Sequence, residues 1–174
     1  TTALVGSYGD DDNESASGSA YIFEQQQDGS WPETAKLLAS DGASDDLFGR
    51  SVAISETTAL IGSYGDDDNG TNSGSAYIFE QQVDGTWLET AKLLASDGAS
   101  DDYFGRAVAI SGTTAMIGAY NDDEKGSAYI FQQQQDGSWL ETAKLLASDG
   151  TLYDKFGYSV AISGTTALVG SYGD

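Results

Sequence analysis

Apolar and polar residues alternate along this chain in short runs that return at a regular interval. FGRSVAIS (48–55) and TALIGSY (58–64) read as two strands joined by a tight turn at Glu56-Thr57, or at Gly112-Thr113 in the following copy. SAYIFEQQ (75–82) sets Tyr77 and Phe79 against Ala76 and Ile78, the alternation of a strand with two distinct faces. An Asp-Gly pair between apolar runs is a strong hairpin signal. It stands at Asp28-Gly29, Asp84-Gly85 and Asp136-Gly137, and the second of these leads into TWLETAKLLAS (86–96). That fourth segment is ambiguous. LETAKLLA holds good helix formers and precedes Ser-Asp-Gly, a helix stop. Eight residues make a marginal helix, however, and the turn before them presents a paired strand. A strand is therefore expected, and no Asp then falls inside a strand.

The four-strand pattern recurs. Phe-Gly appears at Phe48-Gly49, Phe104-Gly105 and Phe156-Gly157, spaced 56 and then 52 residues apart, and Trp31, Trp87 and Trp139 keep the same spacing. The difference falls in one loop, where GDDDNGTNSGSA (65–76) shortens to NDDEKGSA (121–128). The decapeptide TTALVGSYGD stands at both 1–10 and 165–174. Four antiparallel strands at this period are the signature of a propeller blade. The expected fold is all-β: about three propeller-type blades in an incomplete ring or open array. The expected divisions are 1–47 (a blade lacking its first strand), 48–103, 104–155 and 156–174 (the first two strands of a further blade). Thirteen strands fall short of the roughly 28 in a seven-bladed ring. The chain thus reads as a segment of a longer propeller, a partner in a multi-chain ring, or one stretch of a filament.

Composition narrows the chemistry. Lys+Arg is 7 and Asp+Glu is 28, for a net charge of −21. Phosphate neutralisation of nucleic acid and docking on anionic lipid both need the opposite balance. No apolar run approaches the roughly 20 residues of a membrane-spanning helix. Cysteine and histidine are absent, which excludes disulfides, Cys/His zinc sites and His-based triads. The chain opens without Met or a secretory leader, as a mature region or a piece of a longer chain does. With 39% hydrophobic and 11% aromatic residues it is nonetheless a folding sequence.

Phe-Gly-x-Ser-Val-Ala-Ile, an apolar strand ending Gly-Ser-Tyr or Gly-Ala-Tyr, and Gly-Ser-Ala-Tyr-Ile-Phe together resemble FG-GAP repeats, the blades of the integrin α-subunit propeller and of many bacterial surface proteins. The matching residues are Phe48-Gly49 with Gly62-Ser63-Tyr64, Phe104-Gly105 with Gly118-Ala119-Tyr120, and Phe156-Gly157 with Gly170-Ser171-Tyr172. Gly-Ala-Pro of the family is Gly-Ser-Tyr or Gly-Ala-Tyr here. The resemblance implies stacked blades and an extracellular or cell-surface setting. The phenylalanines and tryptophans are expected in the core. Tyr8, Tyr64, Tyr120 and Tyr172, at strand exits, suit interface packing or a binding face.

Asp supplies 20 of the 28 acids, and it gathers in two loops per repeat. One holds Asp10, Asp11 and Asp12; Asp66, Asp67 and Asp68; and Asp122, Asp123 and Glu124. The other precedes Phe-Gly and holds Asp41 and Asp46, Asp97 and Asp102, and Asp149 and Asp154, with Asp45 and Asp101 beside them. Calcium takes 6–8 oxygen ligands, which such loops could supply while relieving like-charge repulsion. Turn formation and solubility are the plainer account of the same residues. Calcium-binding integrin-type blades use an acidic loop between strands one and two. Ser55-Glu56-Thr57-Thr58 and Ser111-Gly112-Thr113-Thr114 are too short and acid-poor for it, so any calcium must use the other loops. Asn13-Glu14-Ser15 and Asn69-Gly70-Thr71 match the N-glycosylation pattern.

Every candidate group recurs with the repeat, as scaffold residues do. The expected function is a non-catalytic extracellular module for adhesion, binding or surface structure, with calcium as a candidate stabiliser. Its partners would be adjoining repeats or further copies of itself, and a protein or glycan ligand. The alternative is a subunit of a self-assembling extracellular filament. A glycan-acting enzyme would require one unique pocket with two acids roughly 5–9.5 Å apart.

Overall fold

The computed structural model describes residues 1–173; Asp174, which ends the second decapeptide, lies outside them. The described chain forms four antiparallel sheets in which consecutive strands pair. The first holds β1 (Thr2–Ser7), β2 (Ser19–Glu24) and β3 (Glu33–Leu37). The second holds β4 (Ser51–Ser55), β5 (Thr58–Ser63), β6 (Ser75–Gln81) and β7 (Trp87–Leu93). The third holds β8 (Phe104–Ser111), β9 (Thr114–Ala119), β10 (Ser127–Gln133) and β11 (Trp139–Leu145). The last is a hairpin of β12 (Ser159–Ser163) and β13 (Thr166–Gly170). These are propeller-like blades in an open array.

The ambiguous fourth segment is a strand in every copy. β7 pairs along β6 from Ala76↔Leu93 to Gln81↔Trp87, with a bulge between Ile78 and Phe79. Pairing supplied by the hairpin outweighs the helix propensity of LETAKLLA. The strand is shorter than 86–96, ending at Leu93. The first strand also starts later than expected in the second sheet, at Ser51. Gly49 has a φ of +88°, which breaks the ladder, and Phe48 forms a parallel bridge to Gly18 of the previous repeat. In the third sheet the same kink is a bulge between Phe104 and Ala107. Asp122–Glu124 form a 3₁₀ turn in the shortened loop.

Period-two alternation gives each middle blade two apolar faces. Ala20, Ile22, Leu37 and Ala39 of the first sheet pack on Phe48, Ala59, Ile61, Tyr77 and Phe79 of the second. Leu60, Ala76, Ile78, Leu93 and Ala95 of the second pack on Phe104, Val108, Ile117, Tyr129 and Phe131 of the third. Phe48 lies edge-on to Tyr77 at 5.4 Å, and Phe104 to Tyr129 at 5.4 Å. Phe48 and Phe104 are fully buried, each worth about 1.5–3 kcal/mol of transfer free energy. The tryptophans depart from the expected core placement. Trp87 and Trp139 lie half-buried at the rims of these clusters, and Trp31 is 41% exposed.

Candidate functional site: acidic loops at the blade junctions

The loop between β5 and β6 is closed by the Gly74 amide, which donates to the Asp66 carbonyl at 2.8 Å. This turns the Asp66 side chain inward, where it is buried. Its Oδ2 accepts from Ser75 Oγ at 3.1 Å and lies 2.9 Å from the Tyr77 hydroxyl. Both neighbours come from β6. From β7, Lys92 Nζ reaches the same oxygen at 2.8 Å. The ammonium also meets Asp68 at 2.7 Å and Asp41 at 2.8 Å. Asp41 belongs to the preceding repeat, and its other oxygen lies 2.8 Å from the Tyr77 hydroxyl. This cluster therefore spans a junction between two blades.

The next junction repeats the arrangement. Asp97 lies 2.8 Å from the Tyr129 hydroxyl and 2.7 Å from Lys144 Nζ, which meets Asp122 at 2.5 Å. Asp122 also accepts from Ser127. Glu124, in the place of Asp68, is not in this cluster. In the first sheet Asp10 accepts from Tyr21 and Ser19 at 2.8 Å each and meets Lys36 at 3.0 Å, while Asp12 pairs with the same lysine. Hydrogen bonds from Tyr21, Ser19 and Lys36 lower the Asp10 pKa to about 2. Burial alone would push the Lys92 ammonium down, yet its bonds to Asp41, Asp66 and Asp68 hold it above the ordinary lysine value. Lys144 is raised for the same reason. Asp41 and Asp97 lose some solvation, but Lys92 with Tyr77, and Lys144 with Tyr129, hold them below the usual carboxylate value.

The remaining acids stand apart from these clusters. Asp11 and Asp67 brace their own loops, accepting the Ala16 and Asn72 amides at 2.7 Å each. Asp123 is exposed, with a φ of +49°. Asp46, Asp102 and Asp154 cap the turns before Phe-Gly, accepting the Ala43, Ala99 and Thr151 amides at 2.7, 2.7 and 2.6 Å. Burial raises Asp46 to about 6, and raises Asp102 as well. Asp149 is exposed and has no hydrogen-bond or ion-pair partner among the described residues. Asn13 and Asn69 lie on exposed stretches of their loops, their amides 3.5 Å from the Ala39 and Ala95 carbonyls.

Asp41, Asp66 and Asp68 offer oxygens within 4.8 Å of one another, a donor set chemically suited to calcium. The space between them is another matter. Lys92 Nζ contacts all three carboxylates, so a divalent ion does not fit the site as it is arranged.

An FG-GAP repeat profile matches residues 1–23, 31–79, 87–131 and 139–174, interrupted only around the Asp-Gly hairpins. The chain belongs to the FG-GAP repeat family. No curated protein matches its sequence. FG-GAP repeats typically form non-enzymatic modules in extracellular or surface proteins. Among the described residues no helix is long and apolar enough to cross a membrane.

Two features of these FG-GAP blades escaped sequence reasoning. Lys36, Lys92 and Lys144 occupy one position of the repeat and account for three of only seven basic residues. A cation kept in register through every copy of so acidic a chain was the available signal. The second is a tyrosine ladder across the junctions. Tyr64, Tyr103, Tyr120, Tyr158 and Tyr172 follow one another at 5.8, 5.3, 5.7 and 5.0 Å between ring centroids. Tyr103 and Tyr158 come from the loops around Phe-Gly, not the strand exits, so the sequence pattern of either set alone concealed it.

Proposed function

We propose that this FG-GAP chain is a non-catalytic extracellular module for adhesion, binding or surface structure, whose acidic loops are neutralised by the lysine of each blade. The carrying observation is that the principal acid clusters recur at successive blades and are engaged there by the Tyr, Ser and Lys of one blade, with Asp41 or Asp97 of the preceding repeat joining at the two internal junctions. Carboxylates tied to an ammonium and a phenol are ill placed to exchange protons with a substrate. They act instead as struts that hold the exposed loops in place for contact with a partner.

Lysine is a suitable resident cation because its flexible stem crosses the blade edge to deliver a compact charge with three donors. Calcium in this reading is kept out by the lysine and is not a requirement of the fold. The test is a panel of chromogenic glycosides together with binding of labelled chain to intact cells. Retention on the cell exterior without turnover is expected; turnover that Asp66→Asn abolishes overturns the proposal.

A further inference from the structure

Each Phe-Gly pair forms the centre of a tight turn that brings its flanking residues together. Arg106 donates its amide to the Tyr103 carbonyl at 3.2 Å, and Arg50 donates to the Leu47 carbonyl at 3.1 Å. Residues 33–55 and 89–111 are identical except that Leu47 and Ser51 give way to Tyr103 and Ala107. In the following copy the flanking places hold Lys155 and Tyr158. Scaffold residues recur with the repeat, so these departures mark a junction built differently from its neighbours. Of the three Phe-Gly turns, the second is the one that joins an arginine to a tyrosine of the ladder.

At that turn the Arg106 guanidinium lies over the Tyr158 ring at 5.1 Å. Tyr103 stacks on Tyr120 at 5.3 Å with the ring planes 7° apart, and Tyr120 meets Tyr158 edge-on at 5.7 Å. Arg106, Tyr103 and Tyr120 are half-buried in this patch. The chain holds 28 acids against 7 bases, and Lys36, Lys92 and Lys144 are all committed to carboxylates. Among the described residues Arg106 nevertheless has no carboxylate within ion-pair distance, and its guanidinium donates no hydrogen bond. Five N–H donors in a planar fork are thus left open beside aromatic rings, and such a fork matches a carboxylate in bidentate fashion. Burial raises the Tyr103 and Tyr120 phenols above the ordinary value, so both stay neutral.

We propose that Arg106, with Tyr103, Tyr120 and Tyr158, binds a single carboxylated sugar ring of the uronic acid class. The guanidinium takes the carboxylate, while the tyrosines offer ring faces to the sugar's C–H surface and phenolic tips to its hydroxyls. A rigid pyranose loses less conformational freedom on binding than a peptide carrying the same carboxylate. The net charge of −21, and exposed Asp101 at 3.3 Å from the Tyr103 hydroxyl, repel a polyanion far more than a ligand with one charge. The first Phe-Gly turn has Arg50 over Tyr8 at 5.3 Å, but Leu47 stands in the place of Tyr103, so the stacked pair that completes the patch is missing there. This inference rests on the reading of the chain as a binding module and names its ligand class. Its failure leaves that reading standing, because turnover and cell retention decide the reading separately.

The test is titration of the 174-residue chain with sodium glucuronate, read by saturation-transfer NMR and by tyrosine ring shifts, with glucose and acetate in parallel. Glucuronate is expected to bind, and glucose and acetate at least about tenfold more weakly, because each lacks half of what the patch recognises. Arg106→Met keeps the apolar stem and should weaken glucuronate binding by at least about tenfold. Arg106→Lys keeps the charge without the fork and should not restore it. Tyr103→Leu installs the residue that the preceding repeat carries, so the fold is kept, and should weaken binding about two- to tenfold. Arg50→Met should leave the titration unchanged, and every variant should keep its circular dichroism spectrum. The proposal is overturned by absence of glucuronate binding, by equal binding of glucose or acetate, by an equal loss in Arg50→Met, or by tighter binding of an N-acetyl-aspartyl peptide.

Discussion

Replacing Lys92 with Met removes the ammonium while keeping an unbranched apolar stem against the blade edge. The Lys92 side chain is 18% exposed and that of Asp66 only 5%, so this pair behaves as a buried one. Removing one partner of a buried pair costs about 3–5 kcal/mol, because the other charge is left unpaired. Asp66 keeps its contacts with Ser75 and Tyr77, which places the loss near the lower end. Asp41 and Asp68, both 48% exposed, add little. A loss of about 3 kcal/mol at about 2–4 °C per kcal/mol lowers Tm by about 6–12 °C. The assay is thermal melting followed by circular dichroism, with calcium and with chelator. Once the ammonium is gone, Asp41, Asp66 and Asp68 have room for a divalent ion. Calcium should therefore raise Tm in Lys92→Met and leave the wild type unchanged. At a hundred times its Kd, a bound ion restores about 2.7 kcal/mol. A fall in Tm below about 2 °C, or an equal calcium response in both proteins, would refute the lysine as the resident cation.

Asp46 tests burial without pairing. Its folded pKa of about 6 exceeds the unfolded value of about 3.9, so its stabilising contribution is complete below about pH 4 and lost as pH rises through 6. Asp46→Asn retains an acceptor for the Ala43 amide and carries no charge. It should melt higher than wild type at pH 7.5 and lose most of that advantage at pH 4.5, by differential scanning calorimetry at the two values. Gly105 tests the Phe-Gly motif itself: its φ is +87°, and a Cβ there would overlap the Ser75 carbonyl oxygen. Gly105→Ala should cost about 3 kcal/mol or more, read from the urea midpoint, through left-handed strain and overpacking together.

Much of the fold was legible because the repeat states each signal more than once. Asp-Gly at three hairpins, and Tyr77 and Phe79 alternating with Ala76 and Ile78, fixed the strands and their faces. The segment 86–96 was harder, since LETAKLLA carries helix propensity and only its pairing partner decides the outcome. In the second sheet the first strand starts at Ser51 and not at Phe48, because Gly49 looks like a strand residue until its positive φ is known, whereas in the third sheet the strand does begin at Phe104. The acid loops were found, but their chemistry was not. Distance along the chain hides the 51 residues separating Asp41 from Lys92, which only blade stacking brings together. The exposure of Trp31 was likewise hidden: Trp31 is followed by Pro32 where Trp87 and Trp139 are followed by Leu, but burial depends on the array, which covers only those two.

The shortened acidic loop shows how this architecture can vary. Between the second and third blades four residues are lost, including the Asn69-Gly70-Thr71 glycosylation pattern. The closing bond survives nevertheless: Gly126 donates to the Asp122 carbonyl at 2.8 Å, as Gly74 does to Asp66. The clasp on the following repeat survives too, with Phe156 bonding Lys125 as Phe104 bonds Ser73. Both anchors flank the deletion, so the loop can change length while its closing bond and its clasp on the next repeat are kept. New sequence could be grafted there, one segment per blade along a single rim, with the repeat serving as a ready-made scaffold for multivalent display.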